Sequence, residues 1–422
     1  MEILDIEKQS IVLLTSHFKK PGKDDVNPLT PTEWKVFASW LRERGYSPGS
    51  LLSEDGENII ESWNNEKISR DRLISLLKRG AQMSMILEKW SRAGIWILTR
   101  PDSDYPQKLK KRLGQLSPPV LFGSGNKSLL NLEGIAVVGS RNVQDDDIKY
   151  SKELGRHIAQ KDFILISGGA KGVDETSMMG ALESYGKAVG VLADGLFQKS
   201  ISQSYRKYLS EGSLTFISPY YPDAGFNVGN AMGRNKYIYC LSEAAVVVHS
   251  GLKGGTWTGA NENLKKNWVP LFVKENHGKD SGNNLLIKNG GIVLNKGIEL
   301  KSFVDKITGS KEFVSSDYQI SAVHEQQELY SQSEKPVEIS NVDASDKILR
   351  KSFYEFFIDK LMELFKDKEV KQKQLKESLD ISSTQLNEWL KRAEKEGVIR
   401  KLSKPVRYRL VSNSKTQAEL FN

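Results

Sequence analysis

Three short stretches carry the residue types that hold phosphate. "VVGSR" ends an apolar run at Gly139, Ser140 and Arg141. "ILISGGAKGVD" ends another at Ser167, Gly168, Gly169, Lys171 and Gly172. "AAVVVHSGLKGGTWTGA" ends a third, with Lys253, Thr256 and Thr258 after the break. Glycines let backbone N–H groups approach an anion, and a following helix adds the positive end of its dipole. Arg141, Lys171 and Lys253 add full charges. Upstream of the third stretch, "GRNKYI" offers Arg234, Asn235 and Lys236. Asp174, at the start of the helix after the second turn, is placed to order that turn. The competing reading of each turn is tight strand-to-helix geometry with no ligand, and two adjacent turns that each bring a cation, Arg141 and Lys171, weigh against it.

The usual nucleotide fingerprints are missing. No G-x-G-x-x-G follows the first strand, and no Walker lysine precedes a Ser/Thr. A kinase, a P-loop ATPase and an ordinary dehydrogenase are therefore disfavoured. With one cysteine and five scattered histidines, no metal-ligand spacing emerges and no cofactor is expected. The single cysteine also excludes an intramolecular disulfide framework and suits a reducing, cytoplasmic setting. "MEILDIEKQS" lacks a signal-peptide layout, and no apolar run approaches the ~18 residues of a membrane helix.

These turns need a scaffold, and the pattern around them supplies one. Strand, helix and strand alternate at short spacing through "GIAVVGSR", "FILISGGAKGVD" and "KAVGVLADGL", and "SLTFISPY", "AAVVVHSG", "WVPLFV" and "GIVL" add further strands. This predicts a doubly wound, Rossmann-like parallel α/β sheet over residues 116–300. Residues 1–115 read as a helical N-terminal domain. "TPTEWKVFASWLRERG" has a Thr30 cap, Pro31, Glu33 and a Trp34, Phe37, Ala38, Leu41 stripe, and "SRDRLISLLKRGAQMSMILEKWSRAG" repeats the period. Residues 301–349, rich in Ser, Glu and Gln, read as a linker with the composition of a disordered segment. Residues 350–412 read as a winged helix, three helices and a basic β-ribbon, and 413–422 as a tail.

The net charge of +8 is uneven, with 17 Lys/Arg against 11 Asp/Glu in residues 350–422. Lys391 and Arg392 on the third helix, with Lys401, Lys404, Arg407 and Arg409 in the wing, are candidate contacts to duplex DNA.

Taken in order, "YPQKLKKRLGQLSPPVLFGSG", "IAVVGSR", "ILISGGAKGVD…GAL", "VGVLADGL", "GRNKYI", "AAVVVHSG…TGA" and "SGNNLLIKNGG" resemble the DprA/Smf family of bacterial DNA-processing proteins. The resemblance covers about residues 105–293. It implies a Rossmann-like domain that binds single-stranded DNA, forms a homodimer, helps load a RecA-type recombinase and needs no catalytic turnover. By position, Arg141 and the Arg234-Asn235-Lys236 segment become the phosphate contacts, with the glycines and Lys171 lining the same groove.

There are departures. "NVQDDD" replaces the family's Tyr-Gly after Gly-Ser-Arg, an acidic stretch expected to weaken DNA binding locally, and "LKGG" reads as an insertion. Such divergence admits other DNA-linked tasks, antiphage defence beside a partner protein among them.

Two other classes compete. "SGLKGGTWTGANE" is reminiscent of the turn in LOG-type phosphoribohydrolases, but the first acid, Glu262, falls one helical turn too late. The other class is a winged-helix regulator of duplex DNA. Stacking aromatics for single-strand binding are not obvious in the turns; Trp257 and Phe197 are the candidates.

Overall fold

The structure is a computed structural model. It describes residues 4–22, 25–276 and 281–294, then 358, 361–362, 369–371, 375, 383–402 and 407–410. The expected linker, Lys404 and the tail lie outside these residues, as do most of the first two helices of the winged helix.

The N-terminal part is helical: α1 (Ile6–Thr15), α2 (Pro31–Glu43), α3 (Gly56–Glu61), α4 (Arg70–Leu77) and α5 (Gly80–Arg92). Helix α2 starts as its sequence dictates. The Thr30 hydroxyl accepts from the Glu33 N–H, the Glu33 carboxylate accepts from the Thr30 N–H, and Pro31 occupies the first turn. Trp34, Phe37 and Leu41 are buried. The periodic stretch from Ser69 to Gly94 is broken into α4 and α5 at Lys78 and Arg79.

The chain divides into two compact units. One holds Met1–Ser53 and the α/β part from Trp90 on; the other holds Glu54–Lys89 and the C-terminal residues. The stretch expected as one domain over 1–115 is thus shared between them, and the packing shows why. Trp90 lies edge-on to Phe122, 5.2 Å between ring centres, and its Nε1–H donates to Asp223 at 2.7 Å, all within the first unit. Met85 packs instead on the C-terminal apolar cluster of the second.

In the first unit, β1 (Ile95–Thr99) is a strand in a segment read as helical. Its apolar run is too short to be told from a helical segment beside α5, and pairing with β2 (Val120–Gly125) decides it. Then follow α6 (Gln107–Leu113), β3 (Gly134–Val138), α7 (Asp145–Gln160), β4 (Ile164–Ser167), α8 (Val173–Glu183), β5 (Ala188–Val191), α9 (Leu196–Ser200), α10 (Gln203–Ser210) and β6 (Leu214–Ser218). After them come α11 (Val228–Leu241), β7 (Ala244–Val247), α12 (Gly255–Lys266), β8 (Leu271–Lys274), α13 (Asn283–Lys288) and β9 (Ile292–Leu294).

The nine strands form one sheet in the order β1-β2-β6-β5-β4-β3-β7-β8-β9. From β6 to β9 all neighbours are parallel, while β1, β2 and β6 pair antiparallel. The doubly wound expectation is met, with an antiparallel edge added. Strand order reverses between β3 and β7, so the topological switch point lies there. The inner strands are buried on both faces, as their unbroken Ile, Val and Ala runs require.

In the second unit, β10 (Val370–Lys371), β11 (Ile399–Leu402) and β12 (Arg407–Leu410) form a small antiparallel sheet in the order β10-β12-β11. Helix α14 (Ser383–Lys395) buries Leu386, Trp389, Leu390 and Ala393 in a cluster with Val398, Ile399 and Tyr408. These are the third helix and ribbon of the expected winged helix.

Candidate nucleic-acid interface

The three turns lie at the carboxyl ends of β3, β4 and β7, which are neighbours in the sheet. Backbone contacts join them. The Ser140 N–H donates to the His249 carbonyl at 2.9 Å, tying the first turn to the third. Gly172 (φ 90°) lies against the Ser140 and Arg141 carbonyls, where a side chain would clash, tying the second turn to the first.

Asp174 is the keystone. It is 7% exposed, and its two carboxylate oxygens accept from the N–H groups of Gly139 (3.2 Å) and Gly168 (3.1 Å). One side chain therefore clamps two turns 35 and six residues away in sequence. Its role is the ordering one the sequence suggested.

Arg234 comes in from α11 and is 5% exposed. Its Nη1 and the Asp174 carboxylate both occupy the space that a Cβ on Gly168 would fill. Glycine at 168 is required for this approach. Burial pushes the Asp174 pKa up to about 6; the Arg234 charge and the backbone N–H groups oppose that shift and do not cancel it. Burial likewise lowers the pKa of Arg234, against the pull of Asp174 and Asp194. Arg234 Nε and Nη1 have no hydrogen-bond partner, an unusual state for a buried guanidinium.

Around this centre the other expected residues take distinct places. Arg141 and Lys171 are exposed at the turns. The Ser167 hydroxyl is buried and donates to the Val137 carbonyl at 2.6 Å, so it serves the sheet. The Gly169 carbonyl accepts from Lys199 Nζ at 2.9 Å. Asn235 Nδ2 donates to the Gly255 carbonyl at 3.0 Å and so ties α11 to the start of α12. Lys236 is half-buried, its Nζ 5.1 Å from the Tyr237 ring centre. Lys253 and Thr258 are exposed and Thr256 is half-buried. In the second unit, Lys391, Arg392, Lys401 and Arg409 are exposed, Arg392 bonds Glu396 and Arg407 bonds Glu369. Among the described residues, no group of three or more His, Cys, Asp or Glu could hold a metal ion. No helix there is long and apolar enough to cross a membrane.

Two features were not legible in the sequence. The acidic stretch is not a uniform surface charge. Asp145 and Asp146 are exposed in the first turn of α7, but Asp147 is buried and binds both Lys274 Nζ and His249 Nδ1. It pins β7 and β8 to α7, beside the His249 carbonyl that holds Ser140. The second feature is Phe226, exposed just before α11, with the Arg141 guanidinium over its ring at 4.9 Å. An aromatic between Gly225 and Asn227, in a loop that leads to "GRNKYI", was the available signal. Trp257, named as a stacking candidate, packs instead against the core.

The family model for DNA recombination-mediator protein A matches residues 96–305. Protein Smf of Synechocystis is 27% identical over 243 residues, which cover 53% of this chain and 60% of the relative. The DNA processing protein DprA of Streptococcus pneumoniae is 28% identical over 240 residues, 53% of this chain and 80% of that one. The chain thus matches well under the full length of the first relative. The X-ray structure of DprA from Streptococcus pneumoniae superimposes with a TM-score of 0.51 at 18% identity, over 70% of this chain and 95% of that one, which shows a shared fold.

Proposed function

The α/β part of this chain belongs to the DprA/Smf family, and from that premise we propose that the protein binds single-stranded DNA along the carboxyl edge of its sheet and holds it without chemical turnover. One observation carries the reading: Arg141, Lys171 and Lys253 stand exposed on three turns that the sheet makes neighbours. A row of exposed cations suits an extended phosphate chain better than a single compact phosphate, while the N–H groups of Gly139, Ser140 and Gly168 are spent on Asp174 and the His249 carbonyl and shape the turns.

Asp174 supports the non-catalytic reading. A carboxylate buried behind two backbone N–H groups is a structural clamp, not a group poised against a sugar. Glu262 and Asp194 take no part in that clamp.

The wing adds a second contact to the proposal. Arg400 and Arg409 are direct cross-strand partners and both are exposed. Like charges placed so repel one another, and a polyanion relieves the repulsion. A homodimer and a RecA-type recombinase partner are the further parts of the proposal, and they rest on the family resemblance.

Fluorescence anisotropy with labelled single-stranded and duplex DNA at several salt concentrations tests the reading. Wild type prefers single strands. Arg141→Ala and Lys171→Ala each weaken binding and lower the slope of log K against log[salt] by about 0.7, the value for one phosphate contact on a single strand. Arg400→Gln with Arg409→Gln reports the wing; removing the C-terminal residues would not, because they share a unit with Glu54–Lys89. An Arg141→Ala variant with normal affinity and salt slope sinks the groove reading.

A further inference from the structure

We propose that Phe226 is a nucleobase-stacking platform, and that it makes the phosphate groove selective for single strands. The inference rests on the DNA-backbone reading above and names what that reading lacks, a surface for bases.

Phe226 is 55% exposed, and what sets it apart from the other exposed apolar side chains is the Arg141 guanidinium beside it. Its neighbours Val228 and Met232 are 62% and 41% exposed. They lie one turn apart on α11 and so share a face. The loop that presents Phe226 is well anchored. The Ala224 carbonyl accepts from the Gly195 N–H at 2.9 Å, the Pro222 carbonyl from the Phe197 N–H at 3.0 Å, and Asp223 from Trp90. Ala224 itself is buried. The ring is therefore offered from a fixed base, so stacking on it orders little that is not already ordered.

What selects the occupant is Arg141. Its guanidinium lies over the ring, and a guanidinium in that position keeps its N–H donors in its own plane. Arg141 takes one face of the ring and reaches a phosphate through its N–H donors, which leaves the opposite face for a base. The site thus sets a cation for the backbone beside an apolar ring for the base, the two components of single-strand recognition. Bases in a duplex are already stacked on each other and cannot use the ring.

The experiment uses the full-length chain and two labelled oligonucleotides of equal length, one of thymidines and one an abasic phosphodiester chain. Wild type binds the thymidine strand more tightly. Phe226→Ala and Phe226→Leu weaken thymidine binding by roughly 5- to 100-fold and abasic binding far less, so the preference for bases collapses, while the salt slope holds because no charge is removed. Phe226→Trp keeps the preference for bases.

If Phe226→Ala retains wild-type preference for bases, or if wild type binds both strands equally, the platform is refuted while the backbone reading stands. If wild type binds neither, the backbone reading itself fails. Sedimentation velocity covers a second copy of the chain as the alternative occupant. An oligomer that dissociates on Phe226→Ala, with base preference unchanged, also overturns the inference.

Discussion

Replacing Asp174 by asparagine removes one titration from the centre of the site and nearly preserves its shape. The unperturbed aspartate pKa is about 3.9. In the fold, burial, the largest influence, raises it to about 6 against the pull of Arg234 and the backbone N–H groups. Since the folded-state value is the higher, the folded protein holds this proton more tightly than the unfolded chain does. The resulting stabilisation is full below about pH 3.9 and is lost as pH rises through about 6. A gap of about two units corresponds to about 3 kcal/mol.

Asparagine cannot ionise. The unfolding free energy of wild type minus that of Asp174→Asn should therefore fall by about 2 kcal/mol between pH 4 and pH 7, most of the full gap, because at pH 4 the unfolded aspartate is already half ionised. Groups that titrate alike in both proteins cancel in the difference. Urea unfolding of the full chain, followed by tryptophan emission at pH 4, 5, 6 and 7, measures it. A difference that is flat with pH refutes the reasoning. A difference that grows with pH refutes it more sharply, because Arg234 and the Gly139 and Gly168 N–H groups would then outweigh burial.

Three further outcomes are expected. Gly168→Ala forces Arg234 Nη1 and the Asp174 carboxylate aside and should cost about 1–3 kcal/mol together with DNA affinity; unchanged stability in urea would mean that Arg234 does not occupy that space. Asp147→Ala leaves the buried Lys274 ammonium without its carboxylate and should cost about 3–5 kcal/mol; a loss below about 1 kcal/mol would show the cluster to be dispensable. The Cys240 thiol, pushed up to about 12 by burial, should stay unreactive to Ellman's reagent at pH 8 until the protein is unfolded; rapid labelling of the native protein would contradict the burial.

The sequence alone determined the α/β architecture and the three turns. Strand-helix alternation is a local property, and glycine next to Arg or Lys at a strand end is recognisable without the fold. The cap of α2 was legible for the same reason: Thr30, Pro31 and Glu33 act within one helical turn. Tertiary structure decided what depends on residues distant in the chain. The sequence treated three aspartates as one acidic stretch, yet the helical rotation of α7 exposes two and buries Asp147 against Lys274, 127 residues away. It named Arg234 as a phosphate contact with no sign of its depth, and α11 buries it beside Asp174. It read residues 1–115 as one domain, although Trp90 and Met85, five residues apart, pack into different units. Phe226 has no periodic signal at all, since a loop residue's exposure is set by what the rest of the chain leaves uncovered. Local backbone preferences write themselves into short sequence patterns. Burial, pairing and the approach of Arg141 to Phe226 arise only once the sheet brings distant turns to one edge.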